Sequence, residues 1–75
     1  MIRSSQRRTA AAQDNIRSEL LASLNSTRVQ IAQAYGGFNT ASDRDLVDFY
    51  IYEIKALQAR YDYLLRQVKS MERPS

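Results

Sequence analysis

The chain has 75 residues, 44% of them hydrophobic and 25% charged, and this length has room for one small domain. Its net charge of +3 comes from Arg3, Arg7 and Arg8, which lie in residues 1–13, because residues 14–75 hold eight basic and eight acidic side chains. There is no Cys and no His, which excludes disulfides, thiolate nucleophiles, and the usual transition-metal ligands and general bases.

The N-terminal segment, residues 1–13, shows no apolar periodicity and contains three arginines but no acidic residue. It lacks the apolar stretch of a secretory signal, and no run in the chain approaches the length of a membrane span. We therefore expect a cytoplasmic protein with no membrane partner. Residues 1–13 are predicted to form a disordered basic arm, and residues 14–72 a helical hairpin domain.

A first helix is predicted over residues 14–35. Asp14 is a suitable N-cap, and the pair Gly36–Gly37 is typical of a helix that ends in a left-handed residue. The turn would then continue to Ser42, which forms a capping box with Asp45. Apolar or small residues recur every three or four positions along one stripe: Ile16, Leu20, Leu24, Thr27, Ile31, Ala34 and Phe38.

A second helix is predicted over residues 43–71, and it carries the most regular pattern in the chain. Its apolar and tyrosine positions alternate in steps of three and four: Val47, Tyr50, Ile54, Leu57, Tyr61, Leu64, Val68 and Met71. This spacing is typical of helices that pack nearly parallel or antiparallel. The fold class is therefore all-α, an antiparallel, coiled-coil-like two-helix hairpin. Because the second helix is predicted to be longer than the first, we expect its C-terminal turns to extend beyond the first helix or to cover the chain before Asp14.

The second helix has another regular stripe, which we call the aromatic face. It lies about 130–140° around the helix from the first stripe, too far for one neighbouring helix to cover both. Its residues are Phe49, Tyr52, Ala56, Ala59 and Tyr63. We expect this face to bind a protein partner or a second copy, with a four-helix-bundle dimer favoured because two helices alone bury little surface. The alternative is that the tyrosines lie on a wet surface with their hydroxyls in water.

The arginines give a second functional hypothesis. Arg3, Arg7, Arg8 and Arg17 are candidate phosphate contacts, which would attach the chain weakly to nucleic acid or to a ribosome. Such contacts carry no sequence information, and a solvated arm explains the same residues.

No residues point to catalysis. The densest acidic group, Asp43, Asp45 and Asp48, lacks the spacing of a calcium loop and fits the positive end of a helix dipole. Tyrosines and carboxylates occur without a glycine-rich loop or a nucleophile–base pair. We expect a protein that is not an enzyme and that has no metal site, no cofactor and no small-molecule substrate.

Several segments around the second helix resemble the YaaL-like family of short bacterial proteins, a domain of unknown function. They keep their order and spacing over residues 35–69: Phe38, Asp43–Asp48 (DRDLVD), Ile51–Ala56 (IYEIKA) and Arg60–Leu65 (RYDYLL). Gln58 stands where the family has an acidic residue, and the arginine-rich start lies outside the resemblance. The resemblance implies a small cytoplasmic bacterial helical protein and brings no catalytic or ligand-binding residue.

Overall fold

The computed structural model describes the backbone of residues 2–72 and the side chains of residues 12–72. Two helices make up the described chain: α1 covers Ile2–Thr40 and α2 covers Arg44–Glu72. They pack against each other as an antiparallel hairpin, since Tyr50 near the start of α2 meets Gly37 near the end of α1, and Glu72 meets Arg17. This arrangement confirms the predicted all-α hairpin. No described helix has a stretch long and apolar enough to cross a membrane.

The predicted bounds of the first helix are wrong at both ends. α1 begins at Ile2 rather than at Asp14, and its backbone is helical through residues 2–13. That segment contains neither Gly nor Pro and includes the run Ala10–Ala12, and Ala has the highest helix propensity. Nothing in the local chemistry therefore stops the helix before Asp14. The division into an arm and a hairpin domain stays a prediction.

The C-terminal end of α1 corrects the predicted role of the glycine pair. α1 continues through Gly36 and Gly37 to Thr40, and no glycine in the described chain has a positive φ. A Cβ placed on Gly37 would lie 2.5 Å from Cε1 and Oη of Tyr50, and closer still to Cζ. Gly37 thus lets an aromatic ring of α2 reach the backbone of α1, which is a use of glycine different from a turn.

The turn between the helices is short, and side chains close both helix ends. Thr40 Oγ1 donates to the carbonyls of Gly36 at 3.3 Å and Gly37 at 3.1 Å. At the start of α2, Asp43 Oδ1 accepts hydrogen bonds from the backbone N–H groups of Asp45 at 2.8 Å and Leu46 at 3.2 Å. Asp43 is therefore the N-cap, because its carboxylate reaches the N–H groups two and three residues ahead. The predicted capping box with Ser42 is wrong, because the N–H of Asp45 that the Ser42 hydroxyl would have to accept donates to Asp43 instead.

The core of the hairpin is a thin seam along the two predicted stripes. Of the residues whose side chains are described, five are buried: Thr27, Ala34, Ile54, Leu64 and Val68. All five belong to those stripes. Thr27 is fully buried, and its hydroxyl donates to the carbonyl of Ser23 at 2.8 Å. Most other stripe residues are partly covered, whereas Ile16 and Met71, toward the open end of the hairpin, are exposed.

The relative lengths of the helices also differ from the prediction. α1 has 39 residues and α2 has 29, so α1 is the longer by about 15 Å at 1.5 Å per residue. α2 ends beside Arg17, where Arg17 Nη2 donates to Glu72 Oε1 at 2.7 Å. The first turns of α1 therefore project beyond α2, the reverse of the expected overhang.

The hairpin exposes more surface than a compact protein of its mass. Its accessible surface is 6323 Å², about a third more than the roughly 4,700 Å² expected for a compact monomer of this size. Its dimensions are 62 × 18 × 14 Å. A single antiparallel seam cannot bury the apolar positions that lie elsewhere on the two helices.

Candidate protein interaction surface

All five residues of the aromatic face are exposed in the hairpin. Tyr52 is 73% exposed, and Phe49 and Tyr63 are each 53% exposed. Ala56 and Ala59 are exposed between them. The structure thus brings the predicted residues together along one side of α2, as their three- and four-residue spacing requires, and α1 leaves that side uncovered.

The shape of the aromatic face follows from its side chains. Ala56 and Ala59 leave the helix backbone accessible at the centre of the face, while rings project on both sides of them. At the N-terminal end, the ring of Phe49 packs edge-on against Tyr50, with 5.1 Å between ring centroids and an interplanar angle of 70°. Because Tyr50 in turn packs against Gly37, the ring of Phe49 is held by a contact that leads into the hairpin seam.

An open groove of 360 Å³ adjoins the aromatic face at Phe49. It lies between the two helices, and its lining is mixed polar and apolar: Gln30, Gln33, Ala34, Phe49, Tyr50 and Glu53. The groove continues the exposed apolar surface of Phe49 toward α1.

Charged side chains line both edges of the aromatic face. At 100° per residue, Asp48 and Arg66 share one edge, and Glu53 and Arg60 share the other. Among the side chains that the structure describes, the one ion pair joins Arg17 to Glu72. The four edge charges therefore have no oppositely charged partner within the described hairpin.

Other exposed apolar residues were not predicted as part of a surface. They are Leu21, Val29, Tyr35, Leu46 and Ile51, between 36% and 49% exposed. Tyr35 accepts a hydrogen bond from Gln58 Nε2 at 3.2 Å, which joins the two helices at one edge of the seam. Except for Val29, these residues lie to one side of the core stripe on their own helix. Their spacing in the sequence does not show what fraction of each side chain the other helix of the hairpin covers.

The structure bears differently on the four candidate phosphate contacts. Arg17 is half-exposed and is bound to Glu72, so a phosphate would compete with that carboxylate. The side chains of Arg3, Arg7 and Arg8 lie outside the described residues. The nucleic-acid hypothesis therefore stays a prediction.

The acidic group at the start of α2 has a structural role. Asp43 caps the helix, and Asp45 lies in its first turn, where a negative charge is favourable. No group of three or more side chains suited to holding a metal ion occurs among the residues described by the structure.

Comparison with known families decides where this chain belongs. The family model described as "Protein of unknown function (DUF2508)" matches residues 1–73. The chain belongs to this family. The DUF2508 match confirms the expected short domain of unknown function, and it also includes residues 1–13, which the YaaL-like resemblance left out. No curated protein and no solved structure matches the chain.

Proposed function

We propose that this DUF2508 protein is a non-enzymatic interaction protein, and that the aromatic face of α2 is its binding surface for a second copy or for another protein. The observation that carries the proposal is the exposure of Phe49, Tyr52 and Tyr63 on one side of a helix. Contiguous exposed apolar patches mark interaction sites, and aromatic residues are enriched at such sites.

The thin core of the hairpin supports the same proposal. Packing the two helices along one seam buries five side chains among those described. The aromatic face, which spans a similar length of α2, stays in water. Small domains with so little core are stabilised by metals, disulfides or association. The chain has no Cys, so a disulfide is excluded and association is the simplest remaining source of stability.

The test is to place a charge at the centre of the aromatic face. Ala56→Arg puts a long cation where a partner must approach closely, and Ala22→Arg makes the same change at an exposed position of α1. Light scattering after size exclusion would measure mass, and affinity capture from the native cell would identify bound proteins. We expect Ala56→Arg to lower the mass or remove a bound protein, with Ala22→Arg unchanged.

Two results together would contradict the proposal. The first is a wild-type chain that has the mass of a monomer, with no change in mass on Ala56→Arg. The second is that Ala56→Arg and Ala22→Arg capture the same set of proteins. Circular dichroism of each variant would show whether the hairpin remains helical, so that loss of folding is not mistaken for loss of binding.

A further inference from the structure

We infer that the occupant of the aromatic face is a second copy of this chain, whose α2 packs antiparallel to the first about a two-fold axis midway between Ala56 and Ala59. This inference rests on the proposed function and specifies its partner and geometry. It comes from the order of residues along the face, the charges at its edges and the surface that the hairpin leaves exposed.

The order of residues along the aromatic face reads almost the same in both directions. Outward from its midpoint the face presents Ala56 and Ala59, and then Tyr52 and Tyr63, and only Phe49 breaks the symmetry, because the position equivalent to it is Arg66. In an antiparallel pair related by the two-fold axis, Ala56 of one copy therefore faces Ala59 of the other, and Tyr52 faces Tyr63. The small residues meet at the centre, where the helices approach closely, and the rings pack on either side.

The charges at the edges are complementary in this arrangement. A two-fold axis perpendicular to the helices keeps the same edge of both copies on the same side of the seam. Asp48 of one copy then lies within about 2 Å, along the helix axis, of the level of Arg66 in the other, at 1.5 Å per residue. On the opposite edge, Arg60 of one copy lies within about 3 Å, along the helix axis, of the level of Glu53 in the other, and Glu53 also lines the groove toward α1. All four unpaired edge charges of each copy thus face an opposite charge.

A parallel pair is disfavoured by the same charges. The start of α2 is net acidic, because Asp43, Asp45 and Asp48 outnumber Arg44 there. Its end is net basic, because Arg66 and Lys69 outnumber Glu72. Parallel association would bring the acidic ends together and the basic ends together, which destabilises the complex. Antiparallel association also aligns the dipole of each α2 favourably with the other.

The excess exposed surface is large enough for such an interface. The hairpin exposes about 1,600 Å² more than a compact monomer of its mass, which is about twice the roughly 800 Å² that a standard stable interface buries on each partner. Covering the aromatic face accounts for part of that excess in each copy. The rings there are 53% to 73% exposed in one hairpin.

Charge reversal across the seam is the principal test. Asp48→Arg places an arginine against Arg66 of the other copy, and Arg66→Asp places an aspartate against Asp48, so each variant alone should dimerise roughly tenfold more weakly or worse. Mixed together, the two variants should form a heterodimer, because the introduced arginine would face the introduced aspartate and the two native charges would face each other. Glu19→Arg, an equal charge change at an exposed position on α1, is the control and should leave dimerisation unchanged.

Cysteine cross-linking tests direction independently of charge. The chain has no native Cys. In the antiparallel pair, Asp45 of one copy lies opposite Ser70 of the other, whereas the two Asp45 residues are about 37 Å apart along the axis. A short bis-maleimide should therefore link a mixture of Asp45→Cys and Ser70→Cys, and should link neither variant alone.

The outcomes separate this inference from the proposed function. A wild-type chain that stays monomeric at every concentration overturns the second copy as occupant, and the capture experiment with Ala56→Arg then decides the proposed function alone. A wild-type dimer in which Asp45→Cys links to itself, or in which the charge-reversed variants do not pair, overturns the antiparallel register while the interaction surface stands. A heterodimer of the reversed variants together with linking only in the cysteine mixture establishes the inference.

Discussion

The ring of Tyr50 in α2 packs directly against the backbone of Gly37 in α1, in the space that a Cβ on residue 37 would occupy. Gly36, the preceding residue, has open space around the same position, with nothing within 4 Å. Two adjacent glycines in one helix therefore differ in their function. The missing side chain of Gly37 makes room for a contact between the helices, whereas no atom of a neighbouring side chain occupies the equivalent space at Gly36.

This difference predicts opposite effects of the same substitution. Gly36→Ala should stabilise the protein by about 0.5–1 kcal/mol, because Ala is a better helix former than Gly. Gly37→Ala should instead destabilise it by about 1–3 kcal/mol, because the new methyl group displaces the Tyr50 ring from a packed position. Thermal unfolding followed by circular dichroism at fixed protein concentration measures both.

A variant without the ring provides the control for Gly37. In a Tyr50→Ala background the space above Gly37 is open, and Gly37→Ala should become stabilising, as Gly36→Ala is in the wild type. If Gly37→Ala stabilises the wild-type chain as much as Gly36→Ala does, the ring does not constrain residue 37 and the contact is not required.

The sequence pattern could place the two stripes and the aromatic face, because helical spacing decides which residues share a side of a helix. It could not place the end of α1. A glycine pair followed by polar residues predicts a helix terminus, and only the position of Tyr50, thirteen residues away, shows that Gly37 serves a contact. This role of Gly37 depends on a contact between residues far apart in the sequence, so the residues next to Gly37 do not predict it.

The start of α1 was missed for a related reason. Apolar periodicity predicts only helices that pack against a neighbour, and residues 2–13 have no such periodicity, while α2 ends beside Arg17. Helix propensity, carried there by Ala10–Ala12, was the available signal. The sequence likewise predicts the exposure of the aromatic face only from the angle between that face and the first stripe. This angle does not show what binds to the face.

Asp43 is predicted to stabilise α2 through its cap. Asp43→Ala removes the acceptor for the N–H groups of Asp45 and Leu46 and should cost about 1 kcal/mol of unfolding free energy. Asp43→Asn keeps an acceptor oxygen and should lower the free energy of unfolding by at most about 0.3 kcal/mol. Ser42→Ala is the matched control and should change stability by less than about 0.5 kcal/mol. A larger loss for Ser42→Ala than for Asp43→Ala, by chemical denaturation, would assign the cap to Ser42.

The ion pair between Arg17 and Glu72 should contribute little despite its short distance. Both side chains are about half-exposed, at 48% and 50%, so water and salt screen the attraction. In a double-mutant cycle with Arg17→Met and Glu72→Gln, we expect a coupling energy below about 1 kcal/mol at low salt, and close to zero at 1 M salt. A coupling energy that persists at high salt would show that the pair is held by packing at the end of α2 as well as by charge.

Thr27 is the one fully buried side chain in the described part of the chain, and its hydroxyl is predicted to be dispensable. The hydroxyl donates to the carbonyl of Ser23, which as part of α1 also accepts the backbone N–H of residue 27, so removing the hydroxyl leaves no buried acceptor without a donor. Thr27→Val keeps the shape of the side chain and should be neutral or stabilising by up to about 1 kcal/mol, since a buried polar group is replaced by a methyl. Thr27→Ser keeps the hydroxyl, loses the methyl and should destabilise by about 1 kcal/mol. If the order is reversed in denaturation experiments, so that Ser is tolerated and Val is not, the seam at this position depends on the hydrogen bond rather than on the packing of the methyl group.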